Sequence, residues 1–209
     1  MRTENRTIHP LFVRVCHWIN AFAMLIMVTS GWKIYNASPI YHFMFAKWLT
    51  LGGWLGGAIA WHFAAMWLLM ANGLAYLVYG IVSGHFRREF LPLSPRAIFR
   101  DFVAALTFKL KHALGTYNAV QKALYSAVVL MGIGVVVSGF AVWKPVQLQF
   151  VTALLGGFDN ARIVHFWLMT GIVGFVAVHL ALVLLVPSTL LPMITGRAPH
   201  SCIHKEVAL

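Results

Sequence analysis

Apolar residues dominate four long stretches of this chain, at about residues 14–35, 51–82, 118–142 and 163–186, and polar residues gather between them. Each stretch is long enough to cross a bilayer core, which takes about 20 residues of helix. The second is longer than the hydrocarbon requires, which predicts tilt or projection beyond it, and it is too short for two spans with a turn. The apolar piece 146–158 is too short to cross and is placed at the membrane interface. In the central polar region, Ser94-Pro95 reads as a helix start with proline at the first helical position. Ile98, Phe102 and Leu106 then recur every four residues beside Arg100, Lys109 and Lys111. That pattern suits a short amphipathic helix on the membrane surface, or equally a solvated connector. The expected fold is all-α: one integral membrane domain over residues 1–209, a four-helix bundle with short interfacial helices in its loops.

Composition agrees with the pattern. Of 209 residues, 60% are hydrophobic and 10% charged, and the mean hydropathy is +0.78. A soluble domain would carry roughly a quarter charged residues. The net charge of +11 does not indicate nucleic acid, because the basic residues lie between the spans, where topology and anionic lipid account for them. Arg2, Arg6 and Arg14 precede or open the first span. Arg87, Arg88, Arg96, Arg100, Lys109, Lys111 and Lys122 occupy the central loop and its flanks, and Arg197 and Lys205 the tail. The other side keeps Lys33, Lys47, Lys144 and Arg162. Both termini and the central loop are therefore expected in the cytoplasm, across a bacterial inner membrane. The N-terminal apolar run lacks a small-residue cleavage site and has the length of a retained helix.

Four of the ten histidines fall inside the spans: His17 in the first, His62 in the second, His165 and His179 in the fourth. An ionisable group at membrane depth is costly and is a functional candidate by default. Neutral imidazole is a common axial ligand of haem iron. Cys16 and Cys202 form no CxxC or CxxCH motif, so any haem is held by coordination alone. His165 and His179 lie close to four helical turns apart, on nearly one face and separated by about 21 Å along the axis. Each can then serve a different haem, one near each membrane surface. Depth supplies the partners: His17 with His179 on the inner side, His62 with His165 on the outer. A lone intramembrane histidine more often bonds a neighbouring helix; four that pair by depth point to two b-type haems. The remaining histidines, His9, His42, His85, His112, His200 and His204, are expected to be solvated.

Arg14 and Arg162 each precede a candidate ligand by three residues, on its face of the helix. Each can pair with haem propionates, and each equally suits an interfacial anchor. Glycines in the second, third and fourth spans are read mainly as helix packing, with clearance for a flat macrocycle at a few.

The segments Arg14-Val15-Cys16-His17-Trp18, His62, and Arg162-Ile163-Val164-His165-Phe166 through His179 resemble the dihaem cytochrome b subunits of membrane-bound formate dehydrogenases and nickel–iron hydrogenases. Tyr117-Asn118-Ala119-Val120-Gln121-Lys122 is similar to that family's YNxxQK stretch, with Val120 where the formate dehydrogenase members have glycine. The resemblance implies bis-histidine haems and a quinone site near the cytoplasmic haem, at positions matching His179 and Asn118. It also implies a periplasmic catalytic partner of molybdopterin oxidoreductase, formate dehydrogenase or hydrogenase type, since this chain has no substrate machinery of its own. The expected function is electron transfer between that partner and the membrane quinone pool. The alternative is a stand-alone haem enzyme linking superoxide or an external acceptor to quinone.

Overall fold

The structure, a computed structural model, describes residues 9–89, 94–107, 118–187 and 190–196. Tyr117, His112, His200, His204 and the basic residues Arg2, Arg6, Lys109, Lys111, Arg197 and Lys205 lie outside the described residues. The described chain is helical: α1 (Leu11–Ala37), a 3-10 turn (Lys47–Leu49), α2 (Leu55–Val82), α3 (His85–Glu89), α4 (Pro95–Leu106), α5 (Ala119–Trp143), α6 (Gln149–Leu154), α7 (Phe158–Leu185) and α8 (Leu190–Thr195). Four of these, α1, α2, α5 and α7, are long and apolar enough to cross a membrane. Large side chains on them stay uncovered, among them Leu25 at 64%, Leu130 at 68% and Leu184 at 79% exposure. Such surface is stable against lipid tails and would drive aggregation in water.

Two spans begin where local chemistry, rather than hydropathy, places them. Gly52 and Gly53 have φ of 108° and 69°, so the chain turns there and α2 starts at Leu55, not at 51. A Cβ on Gly52 would strike the backbone of Ala58. In the other direction, α7 starts at Phe158, five residues before the apolar run that marks it, with Asp159 in its first turn. A carboxylate there faces the positive end of the helix dipole and favours initiation. Residues 146–158 form α6 and the turn into α7. Pro95 opens α4 as its sequence predicts, with Ser94 Oγ accepting a hydrogen bond from Ala97 N at 3.4 Å.

The chain divides into two compact units, Met1–Tyr76 with Ala177–Leu209, and Leu77–Val176. In the first, Asn72 of α2 is buried and donates to Cys16 O at 2.8 Å and Asn20 Oδ1 at 2.7 Å on α1. Interhelical bonds of this kind contribute about 0.6 kcal/mol each in membrane proteins. The loop after α1 folds back on it: Asn36 bonds both the carbonyl and the N–H of Phe45, and Trp32 stacks on Phe45 at 4.7 Å. The last carbonyls of α8 are taken by α1, with Arg14 Nη1 on Ile194 O at 2.5 Å and Trp18 Nε1 on Met193 O at 3.3 Å. Helix-end carbonyls have no intrahelical donor, so these side chains complete them.

In the second unit, α5 meets α7 through small residues, with Gly134 against Leu168 and Gly171 against the Met131 sulfur. Asp101 of α4 accepts from Ala119 N at 3.0 Å, which ties α4 to the start of α5. Of the histidines expected in solvent, His42 is exposed, whereas His9 and His85 are half-buried. His85 lies between Tyr79 and Phe86 because α3 folds Phe86 back onto Gly80.

Candidate haem site

His17 sits on α1 three residues after Arg14, and His179 near the C-terminal end of α7. The two rings lie 6.2 Å apart between centroids, with planes at 64°. A metal bonded to an imidazole nitrogen at about 2 Å on each side places the two ring centroids roughly 6 Å apart. The donor set therefore fits a haem iron, which His17 and His179 would hold between them and which would supply one-electron chemistry there. Among the described residues there is no group of three or more His, Cys, Asp or Glu side chains that could hold a bare ion. Trp18 stands edge-on to His17 at 5.4 Å.

His62 and His165 belong to different units. In the first unit, Ser30 Oγ of α1 lies 3.1 Å from His62 Nδ1. A methyl on neighbouring Gly31 would sit 3.4 Å from His62 Cε1. In the second unit, Ser138 Oγ of α5 lies 3.1 Å from His165 Nδ1. A methyl on neighbouring Gly139 would sit 3.1 Å from His165 Cε1. Both imidazoles are thus approached on the Nδ1 side by a serine of another helix, so Nε2 is the nitrogen that would coordinate a metal. Both glycines keep that approach open. Ser30 and Ser138 escaped the sequence reading, although each carries a signal there, a Ser-Gly pair inside an apolar span.

The arginines are held differently. Arg14 Nη1 is engaged by Ile194 O, while Arg14 Nε is buried with no hydrogen-bond partner among the described residues. An orphaned cationic N–H one turn from His17 suits an anionic group such as a propionate. The Arg162 guanidinium lies 6.0 Å over the Phe158 ring, one turn before His165.

Asn118 is the N-cap of α5. Its Oδ1 accepts from Gln121 N at 2.8 Å, and Gln121 Oε1 accepts from Asn118 N at 3.1 Å, forming a capping box. The box uses the amide oxygen of Asn118, not its NH2 donors.

Comparison with known proteins adds three findings. Residues 8–196 match the family described as prokaryotic cytochrome b561. The chain is 52% identical over 197 residues to a protein of Azospira oryzae provisionally named a protein-methionine-sulfoxide reductase subunit, YedZ1, covering 94% of this chain and 100% of that one. It is 25% identical over 194 residues to a protein of Bradyrhizobium diazoefficiens, and 24% over 184 residues to one of Cupriavidus necator. Both are provisionally named nickel–iron hydrogenase B-type cytochrome subunits, and the matches cover 80% of this chain with 73% and 74% of theirs.

Proposed function

Because this chain belongs to the prokaryotic cytochrome b561 family and is a multi-pass membrane b-type cytochrome, we propose that it carries electrons between the quinone pool and an oxidoreductase partner through two haems. The observation that carries the proposal is the His17–His179 pair, at the spacing of a bis-imidazole site. His17 and His179 hold the inner haem, and His62 and His165 the outer one, a pairing that rests on the depths of these residues in the spans. Haem bound at such sites supplies reversible one-electron transfer. The chain's part is to supply the imidazoles, exclude water and fix the surrounding charge.

The relatives support a methionine-sulfoxide reductase as the partner. The 52% identical relative covers nearly the whole chain and is named for a methionine-sulfoxide reductase. Reducing a sulfoxide consumes two electrons and two protons and releases water, so the cytochrome's role is delivery. With haem held by His17 and His179 and by His62 and His165, electrons would pass outward from quinol on the cytoplasmic side to a periplasmic reductase. With the termini in the cytoplasm of an inner-membrane protein, this outward path gains about 2.3 kcal/mol per electron for each 100 mV of membrane potential. The hydrogenase-type relatives would imply the reverse flow, but they are half as similar.

Haem content of the detergent-purified chain, with spectra taken before and after adding quinol, tests this reading. Two b-type haems per chain, both reduced by quinol, are expected. One haem, or haems that quinol leaves oxidised, would overturn it.

Asn118 is proposed to donate its amide N–H to a quinone carbonyl. Asn118→Asp keeps the oxygen that caps α5 and removes the donor. It should slow quinol-dependent haem reduction by tenfold or more, about 1.4 kcal/mol, with both haems retained. Unchanged kinetics in stopped-flow would leave Asn118 a helix cap and nothing else.

A further inference from the structure

We infer that Ser30 and Ser138 are positioning residues that fix the tautomer of His62 and His165, and thereby lower the reduction potential of the haem these histidines hold. This rests on the assignment of both histidines as ligands under the proposed function.

Ser30 and Ser138 are fully buried, at 0% exposure. Each sits inside a helix, where its hydroxyl bonds back to a carbonyl of the preceding turn. Ser30 Oγ donates to Ile26 O at 2.5 Å, and Ser138 Oγ donates to Gly134 O at 2.8 Å. A serine hydroxyl has one hydrogen. With that hydrogen committed to a carbonyl, Oγ presents only lone pairs to the imidazole 3.1 Å away. Nδ1 must then carry the ring proton and donate it. Nε2 is left deprotonated, which is the state a metal requires.

The same bond has an electronic consequence. An imidazole that donates through Nδ1–H is a more basic ligand. It favours the oxidised metal, so the potential falls. The device occurs twice, on α1 for His62 and on α5 for His165, each time beside a glycine that leaves room for the ring. The two occurrences lie in separate units of the chain.

Spectroelectrochemical titration of the full chain in detergent tests the inference, together with low-temperature EPR of the oxidised haems. Ser30→Ala and Ser138→Ala remove the acceptor with little change in volume; Ser30→Thr and Ser138→Thr retain a hydroxyl. In each alanine variant one haem should rise in midpoint potential by the equivalent of a tenfold change in its redox equilibrium, about 59 mV for one electron. Its EPR g-values should move with it, the second haem should stay in place, and threonine should restore the parent values. If an alanine variant instead loses that haem, restoration by threonine supports the role, and failure to restore it counts against it. Unchanged potentials with both haems bound, or equal shifts in both, overturn the inference while leaving the dihaem reading intact. A parent chain with no haem dependent on His62 and His165 overturns both.

Discussion

Replacing His179 with alanine should remove one haem from the purified chain, leave the other, and abolish electron exchange with quinol. The expectation rests on the facing rings of His17 and His179, 6.2 Å apart, because an iron held only by coordination loses its place when one axial ligand goes. No thioether link can retain it, since the chain has no CxxCH motif. Asn72 holds this stretch of α1 against α2 through Cys16 O, one residue before His17. The helices should therefore keep their places when the ring is removed. His17→Ala should give the same spectrum and the same single remaining haem. The double variant should be no worse than either single, since both residues act on one group. Pyridine haemochrome analysis and reduced-minus-oxidised spectra read the result. If the two single variants lost spectrally different haems, the pair would not share an iron.

His165→Ala should give the complementary phenotype. The outer haem goes, the inner one remains and is still reduced by quinol, and electrons travel no further. The alanine also frees Ser138 Oγ from the imidazole it faces. That hydroxyl keeps its bond to Gly134 O, so no buried donor is orphaned and α5 should stay folded. Rapid mixing with quinol separates this from the His179 change: fast partial reduction in His165→Ala, none in His179→Ala. Delivery to a partner reductase should fall by several orders of magnitude, because the chain of carriers is broken. Reduction of the surviving haem at an unchanged rate with delivery intact would show that His165 lies off the electron path.

Much of this organisation was legible along the chain. Hydropathy is a property of each residue and sums locally, so the four long apolar runs identify the four spans before any packing is known. The helix at Pro95 is equally local, being set by a proline and the hydroxyl before it. Depth along a span is a matter of counting residues, so the sequence alone puts His17 and His179 at one level, and their rings lie close. Exact starts were less legible, because the turn at Gly52 and Gly53 interrupts an apolar run that hydropathy reads as continuous.

What only the tertiary structure decided are bonds between residues distant in sequence. Arg14 reads as a propionate ligand from its spacing to His17, yet its guanidinium also closes the end of α8, 180 residues away. Asn118 reads as a quinone ligand by resemblance, and the structure adds that its oxygen caps α5. Ser30 and Ser138 carry no hydropathy signal and sit 32 and 27 residues from the histidines they face. Sequence alone determined which segments cross the membrane and which imidazoles lie within them. The partner each of those imidazoles meets depends on which helices pack together, and that is set by side-chain fit across the fold, which no local pattern along the chain contains.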